Sequence, residues 1–172
     1  MGKVWKYGDG VNTDLIFAGK HTYTLREPEE IAARALEDLD PNFAAAARPG
    51  DVIVAGRNWG NGSSREQAVT CLKYKGITAV VAKSFGRIYF RNGINQGLLL
   101  ITCPEAVDAA QSGDEIEIDL PNSVLRLNGR AFPFPPLSST ALGILEAGGL
   151  IPHIRKKLGI TSTEAVTVGG GE

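Results

Sequence analysis

The residues best suited to chemistry lie in one glycine-punctuated loop, Gly60-Asn61-Gly62-Ser63-Ser64-Arg65. A helix is predicted to begin at Ser63, because Ser63 and Glu66 have the spacing of a capping box. The first N–H groups of a helix are unpaired, and glycine lets a ligand approach the backbone closely. The guanidinium of Arg65 adds a planar, bidentate donor for a carboxylate. The loop therefore predicts a site for a carboxylate or a phosphate.

Other interpretations of this loop stay open on the residues alone. A Gly-Ser-Ser sequence before a helix often serves only as a cap. The spacing lacks the last glycine of a dinucleotide fingerprint and the lysine of a P-loop. Neither Ser63 nor Ser64 has the flanking glycines of a nucleophile elbow. The choice is thus between an anion site and a simple helix cap.

Two charged residues earlier in the chain could join such a site. Asp14 follows Asn12-Thr13 directly before an apolar run, where aspartate commonly caps a helix or closes a turn. Arg26 lies in a polar loop and by itself predicts only a solvated charge. A solvated charge is likewise predicted for the other scattered cations, Lys20, Arg57, Lys83, Arg87 and Arg91.

Composition limits the class of protein to which the chain can belong. Its 172 residues, 43% of them hydrophobic, suit one domain with its own core. The 18 basic and 19 acidic residues leave a net charge of −1, so no overall field favours nucleic acid. The longest apolar run, Leu98–Ile101, is too short to cross a membrane, and Met1–Trp5 lacks the apolar stretch of a secretion signal. We expect a cytoplasmic protein that binds neither nucleic acid nor membrane.

Metal binding by this chain is not expected. Cys71 and Cys103 are the only cysteines, and His21 and His153 are far apart in the sequence. Neither a zinc site nor an iron–sulfur cluster can be built from this set. Two distant cysteines in an intracellular protein are expected to be buried as small apolar side chains.

Apolar runs and helical segments alternate around the loop. Buried strands are predicted at Val52–Ala55, Ile77–Ala82 and Leu98–Thr102. Helices are predicted between them, from Ser63 to Tyr74 and over Ser84–Asn95. Strand–helix–strand order implies parallel pairing through crossover helices, and hence an α/β sheet.

The remaining segments extend this unit at both ends. We expect a strand at Val4–Tyr7, helices at Ile31–Leu39 and Pro104–Gln111, and a hairpin that pairs Glu115–Asp119 with Val124–Leu127. Phe132–Pro136 is expected to be irregular. Ser138 or Ser139 is expected to cap a helix through Leu145, which Gly148-Gly149 breaks before Ile151–Leu158. One domain is predicted over residues 1–165, followed by a disordered tail at 166–172.

Several motifs, taken in order, resemble a known family. They are Asn12-Thr13-Asp14-Leu15-Ile16, Gly56-Arg57-Asn58, Gly60-x-Gly62-Ser63-Ser64-Arg65-Glu66, Ala82-Lys83-Ser84-Phe85, Ile88-Tyr89-Phe90-Arg91-Asn92 and Gly148-Gly149-Leu150-Ile151. They are similar to the small subunits, or swivel domains, of 3-isopropylmalate dehydratase and homoaconitase-type hydro-lyases of the aconitase superfamily. The resemblance runs from about Gly8 to Leu158.

The resemblance implies a fold, a partner and a cofactor. The fold would be a single layered β/α swivel domain with a mostly parallel central sheet plus additional strands. In that family a large subunit holds a [4Fe–4S] cluster, so this chain would bind no cofactor and be inactive alone. Apolar surface facing the missing partner is expected, and it would favour self-association of the isolated chain.

The resemblance also implies roles for individual residues. Ser63 corresponds to the base that removes a proton, and Asp14 to an acidic residue of the proton-handling network. The residues implied to bind substrate carboxylates or the oxyanion are Gly62, Ser64, Arg65 and Arg26. The implied reaction dehydrates a small hydroxy-di- or tricarboxylate and rehydrates the alkene, which moves the hydroxyl by one carbon.

Substrate choice is implied to depend on a specificity loop consisting of His21, Thr22, Tyr23, Thr24 and Leu25. Tyr23 and Leu25 offer apolar walls for an isopropyl group, which favours the isomerisation of 2- and 3-isopropylmalate in leucine biosynthesis. Lys20 or His21 could instead bind the third carboxylate of homoaconitate. Dimethylmalate and citraconate are further alternatives, and a non-catalytic carboxylate-binding module is the rival from another class.

Overall fold

A seven-stranded sheet forms the centre of the computed structural model, which describes residues 1–160. Its strands are β1 (Gly2–Lys6), β2 (Val52–Ala55), β3 (Ala79–Ala82), β4 (Leu99–Thr102), β5 (Glu115–Asp119), β6 (Val124–Leu127) and β7 (Arg130–Pro133). They lie in the order β4-β3-β2-β1-β5-β6-β7. The pairings from β4 to β1 are parallel, and those from β1 to β7 are antiparallel. The predicted α/β fold, a parallel sheet with additional strands, is confirmed.

Short helices surround this sheet. They are α1 (Thr13–Ile16), α2 (Pro28–Ala32), α3 (Phe43–Ala46), α4 (Gln67–Tyr74), α5 (Arg87–Asn95), α6 (Pro104–Ala109), α7 (Ser139–Glu146) and α8 (Leu150–Lys157), with a 3-10 turn at Gly19–His21. The predicted cap of α7 is confirmed, because the Ser138 hydroxyl accepts a hydrogen bond from the Ala141 N–H. Within residues 1–160, no helix is long and apolar enough to span a membrane. The predicted tail at 166–172 lies outside the described residues.

Apolar side chains cover both faces of the parallel strands. These strands therefore appear in the sequence as continuous hydrophobic runs. Ile53, Val80 and Leu100 face a core shared with α1, α4 and α5. Their neighbours Val52, Val81 and Ile101 face a second core, formed with α6 and the antiparallel strands. Because side chains alternate along a strand, one short run serves both cores.

The helix predicted at Ile31–Leu39 is wrong in extent. The observed helix α2 ends at Ala32, and turns follow it to Leu39. Leu36 has a φ of 57°, its side chain is fully buried, and its N–H donates to the Ile16 carbonyl at 2.9 Å. A tertiary hydrogen bond and burial thus override the local helical pattern.

The irregular structure predicted at Phe132–Pro136 is also wrong in part, because Arg130–Pro133 forms strand β7. Leu125 pairs with Phe132, and both side chains are buried in the second core. The connecting residues Asn128 and Gly129 have φ values of 48° and 84°. A tight hairpin turn of this type requires positive φ at both central residues. The dipeptide Asn-Gly adopts them readily and is therefore the strongest short hairpin signal in a sequence.

Asp51 fastens β1 to the start of β2. Its carboxylate accepts hydrogen bonds from the Lys3 N–H at 3.0 Å, the Trp5 indole N–H at 2.9 Å and the Arg48 N–H at 2.9 Å. Burial alone would raise the pKa of Asp51. The hydrogen bonds donated to its carboxylate by these N–H groups outweigh burial and hold the pKa below its ordinary value. A carboxyl of this kind stabilises the fold above its unfolded pKa of about 4 and loses this contribution as the pH falls through the lower folded value.

We therefore expect Asp51→Asn to lower the free energy of unfolding at pH 7 by about 1–3 kcal/mol. Asparagine replaces one of the two acceptor oxygens with an NH2 group, which cannot accept the buried N–H hydrogen bonds. Urea unfolding followed by circular dichroism measures this change. The control is Asp38→Asn, because Asp38 is exposed and only reaches Lys20 at 3.7 Å. The loss should shrink on acidification below about pH 4, where the wild-type carboxylate also protonates. Equal stability of the two variants at pH 7 would contradict this assignment.

Candidate active site

Two loops run side by side where β1 and β2 end. The loop after β1 reaches Val11, Asn12 and Thr13, and the loop after β2 contains Gly60 and Asn61. The Gly60 N–H donates to the Val11 carbonyl at 2.8 Å, and the Thr13 N–H donates to the Asn61 carbonyl at 2.9 Å. Because β1 and β2 are parallel neighbours, both loops leave the same edge of the sheet, where ligands of open α/β sheets bind.

Ser63 lies exposed at this junction and contacts Thr13 behind it. The two side-chain oxygens, Ser63 Oγ and Thr13 Oγ1, are 3.1 Å apart, although the residues are 50 positions apart in the sequence. Gly62 between the loops has a φ of 106°, and a Cβ there would lie 3.2 Å from Thr13 Oγ1. Glycine at position 62 therefore allows both the backbone turn and the close approach of the two hydroxyls.

Arg65 is held by the first helix. Its Nη1 atom donates to Asp14 Oδ1 at 2.7 Å and to the Phe17 carbonyl at 2.8 Å. The Arg65 side chain is only 15% exposed, whereas Asp14 is 68% exposed. A Cβ at Gly19 would lie 3.3 Å from Arg65 Nη2, so the small residue at 19 makes room for the guanidinium. These contacts fix the direction of the guanidinium before any ligand arrives.

The predicted capping box of Ser63 and Glu66 is wrong. Helix α4 begins at Gln67, with Glu66 as its N-cap and no side-chain cap. The Glu66 carboxylate instead accepts a hydrogen bond from Gln96 Nε2 at 2.8 Å. Pairing of the Asn61 region with the loop after β1 draws Ser63 toward Thr13 and delays the helix. The candidate anion site thus lies in the loop before α4 and not at the first turn of the helix.

The loop 21–25, predicted to set specificity, packs against the start of α4. Thr22, Tyr23, Leu25 and Arg26 line a hollow of about 370 Å³ together with Ile31, Glu66, Gln67, Thr70 and Tyr74. Gln67 Nε2 donates to the Thr22 carbonyl at 3.2 Å and ties the loop to the helix. Tyr23 is 90% exposed, and its ring stands free at the rim.

His21 anchors this loop from its other side and does not line the hollow. His21 Nε2 lies 2.6 Å from Glu37 Oε1, and Lys20 Nζ lies 3.0 Å from the same oxygen. Burial would raise the pKa of Glu37, but hydrogen bonds from Lys20 and His21 lower it. Thr24 bonds locally, its hydroxyl donating to the His21 carbonyl at 3.4 Å.

The candidate residues therefore fall into two groups. In the first group, Gly62 and Ser63 lie against Thr13, and Arg65 binds Asp14, the next residue along the chain. In the second group, Tyr23, Leu25 and Arg26 line the hollow beside α4. Ser64 is exposed between the groups, and its carbonyl lies 3.4 Å from Asn92 Nδ2. Among residues 1–160, no hydrogen bond or ion pair joins Arg26 to Ser63 or Arg65.

Sequence reasoning missed two features of the site. Thr13 was not among the predicted site residues. It is the first residue of α1, and the Asn12 side chain caps this helix by accepting a hydrogen bond from the Leu15 N–H at 3.0 Å. Arg87 and Arg91 were expected to be solvated charges, yet both line a hollow of about 520 Å³ beside Gly60 and Gly62. Their spacing of four residues places them on one face of a helix, and this signal was available in the sequence.

The cysteines do not fit an iron–sulfur cluster. Cys71 lies in the first core and Cys103 in the second, so the two thiols cannot act together. Burial raises the pKa of both thiols and keeps them protonated. In the part of the chain that the structure describes, no group of three or more histidine, cysteine, aspartate or glutamate residues could hold a metal ion.

Comparison with known proteins identifies the family. Residues 17–106 match the aconitase C-terminal domain. The 3-isopropylmalate dehydratase small subunit of Aquifex aeolicus is 45% identical over 160 residues, which cover 91% of this chain and 95% of that protein. The small subunit 1 of Archaeoglobus fulgidus is 46% identical over 153 residues, covering 88% and 94%.

A solved structure agrees with these relatives. The crystal structure of 3-isopropylmalate dehydratase from Methanocaldococcus jannaschii matches with a TM-score of 0.87 and 42% identity, covering 92% of this chain and 95% of that chain. At this coverage the match extends over both the parallel and the antiparallel parts of the sheet. The resemblance is confirmed, and the chain belongs to the family of 3-isopropylmalate dehydratase small subunits.

Proposed function

We propose that this chain is the small subunit of a hydro-lyase that isomerises 2- and 3-isopropylmalate in leucine biosynthesis. The observation that carries the proposal is the junction of the β1 and β2 loops. There the exposed Ser63 contacts Thr13, and Asp14, the residue after Thr13, orients Arg65. Family membership supplies the reaction class, dehydration followed by rehydration of the alkene.

Ser63 is proposed to remove the proton next to a substrate carboxylate. A serine hydroxyl is a poor base, so its alkoxide needs donors fixed in advance. The Thr13 hydroxyl at 3.1 Å and the nearby positive charge of Arg65 are the candidates on this chain. Ser63 is exposed, so a substrate can reach its Oγ atom.

Arg65 and Arg26 are proposed to bind the substrate's carboxylates, with Ser64 and the Gly62 backbone beside them. Within the described residues, both hydrogen bonds of the Arg65 guanidinium use Nη1, so Nη2 and Nε are available to a carboxylate. Arg26 is exposed at the edge of the 370 Å³ hollow. Two separated guanidinium groups suit a dicarboxylate and would fix its orientation.

The other half of the active site is proposed to lie on a large, cluster-bearing subunit. When bound there, a [4Fe–4S] cluster would supply Lewis acidity toward the departing hydroxyl group. Exposed apolar side chains beside the site, Tyr23 at 90% and Ile88 at 48%, support a surface that a partner covers. The isolated chain should therefore lack activity and tend to self-associate.

The hollow beside α4 favours isopropylmalate over homoaconitate. Leu25 and Tyr23 offer apolar contact for an isopropyl group. A third carboxylate in this hollow would require another cation there, but Lys20 and His21 both lie against Glu37. Arg87 and Arg91 line a different hollow. Homoaconitate, dimethylmalate and citraconate remain the alternative substrates.

The test is turnover by the reconstituted complex. This chain is co-expressed with the candidate large subunit, and the complex is loaded anaerobically with iron and sulfide. We expect alkene formation from 3-isopropylmalate, followed by ultraviolet absorbance, and a kcat/KM at least about 10-fold lower for homoaconitate, since a desolvated third carboxylate would lack a partner. Preference for homoaconitate would overturn the substrate assignment.

Inactivity on every hydroxy acid, with an intact cluster and a formed complex, would favour the carboxylate-binding module.

A cytoplasmic location and the domain limits of 1–165 stay predictions from the sequence. Size-exclusion chromatography of the isolated chain tests its self-association.

A further inference from the structure

Thr13 is unusual among the polar residues of this site because its side chain is buried. It is 2% exposed, whereas Ser63 in front of it is exposed. Its hydroxyl lies 3.1 Å from Ser63 Oγ, and either oxygen could donate the hydrogen bond. A substrate that reaches Ser63 from solvent would therefore not touch Thr13. The contact comes from behind the serine.

The Thr13 hydroxyl is held in place by its surroundings. The Thr13 N–H donates to the Asn61 carbonyl at 2.9 Å, and the Thr13 carbonyl accepts from the Phe17 N–H at 2.9 Å. Threonine is branched at Cβ and has few χ1 rotamers. Gly62 lies against the hydroxyl on one side, where even a Cβ would approach to 3.2 Å. The oxygen is thus fixed relative to the loop that carries Ser63.

A fixed donor acts differently on the two protonation states of Ser63. A hydrogen bond to a charged acceptor is roughly twice as strong as one between neutral groups. If Ser63 ionises, only Thr13 can donate, and the bond then stabilises the alkoxide. An interaction that strengthens only in the reactive state raises kcat and leaves substrate binding nearly unchanged.

We propose that Thr13 is a positioning residue for Ser63, whose hydroxyl donates to the serine oxygen and holds it in the form and direction needed to take the substrate proton. This inference rests on the proposed function, in which Ser63 is the base. Thr13 itself gains and loses no proton. Ser63 first loses its own proton to solvent. The proton then passes from the substrate carbon to the Ser63 alkoxide, which becomes a neutral hydroxyl. The electron pair of the broken C–H bond forms the new double bond, and the substrate hydroxyl leaves as hydroxide.

The experiment compares Thr13→Val and Thr13→Ser in the reconstituted two-subunit enzyme. Valine keeps the shape and removes only the hydroxyl, so we expect kcat to fall about 10- to 100-fold, the size of a lost hydrogen bond to a charged group, while KM changes little. Because the alkoxide loses a donor, the rise of kcat with pH should move to higher pH. Serine restores the hydroxyl and should recover most of the turnover. If the valine variant does not assemble, Thr13→Ala is assayed in the same way.

A double-mutant cycle with Ser63→Ala separates this inference from the proposed function. If Thr13 acts through Ser63, removing its hydroxyl has no further effect on the residual rate of Ser63→Ala. A wild-type kcat and pH profile in Thr13→Val would refute the inference while leaving Ser63 as the base. A loss of kcat that serine does not restore, with an unmoved pH profile, would also refute it. Full activity of Ser63→Ala would instead overturn the base assignment itself.

Discussion

Ser63→Ala should abolish nearly all turnover by the assembled enzyme, because it removes the proposed base. Loss of a positioned acid–base group typically costs on the order of 10²- to 10⁴-fold in rate. The side chain is exposed, so its removal leaves no cavity. The buried Thr13 hydroxyl does lose its partner, and the free energy of unfolding should fall by about 1 kcal/mol. The decisive measurement is kcat for alkene formation from 3-isopropylmalate, with the amount of assembled complex checked by size-exclusion chromatography.

Ser139→Ala is the matched control for this prediction. Ser139 is also an exposed serine and is the first residue of α7, outside the candidate site. Its replacement should leave both assembly and turnover at the level of the parent enzyme. Comparable turnover in Ser63→Ala and Ser139→Ala would remove Ser63 from the mechanism.

Arg65→Lys should lower kcat/KM on the order of 100-fold, the typical cost of removing one donor that is fixed toward developing or bound charge. Lysine keeps the positive charge but loses the planar fork. It cannot donate to Asp14 Oδ1 and the Phe17 carbonyl while offering two further N–H groups to a carboxylate. Steady-state kinetics with 3-isopropylmalate would measure the change, and substrate affinity should account for a large share of it.

Arg155→Lys provides the control for charge-conserving replacement. Arg155 is exposed on α8 and lies in its basic last turn. This variant should behave as the parent enzyme does. If Arg65→Lys retained the parent kcat/KM, a simple positive charge would suffice at position 65, and the bidentate carboxylate contact would be wrong.

The two catalytic predictions differ in what they test. Ser63→Ala removes the atom that takes the proton, so kcat reports its effect. Arg65→Lys changes a group that orients the substrate, so KM should respond as well. Agreement of both results with these expectations would support separate roles within the loop 62–65, with Ser63 removing the proton and Arg65 orienting the substrate. The Thr13 variants then ask how the protein prepares Ser63.

Local patterns in the sequence were sufficient for much of the frame. The three parallel strands β2, β3 and β4 follow from aliphatic runs that are buried on both faces. The helices between them, the β5–β6 hairpin and the Ser138 cap also follow from neighbours within a few residues. Hydrophobic period, turn residues and capping side chains act over short distances, so one sequence can reveal them.

Contacts between distant segments were not accessible in this way. Leu36 leaves the helical conformation because Ile16, twenty positions earlier, accepts its N–H. Likewise, Ser63 does not cap α4, since pairing of Asn61 with Asn12 brings it to Thr13. In both places a tertiary hydrogen bond outweighs a local preference worth about 1 kcal/mol.

The sequence by itself thus determined the α/β class, the order of the strands and helices along the chain, and the loop that carries Ser63 and Arg65. The order of its motifs also indicated the family. Only the tertiary structure decided that Thr13 lies behind Ser63, that Asp14 holds Arg65, and that His21 turns toward Glu37. The physical reason is that these contacts depend on which loops the parallel sheet brings to one edge, and strand neighbours are chosen by packing of the whole chain.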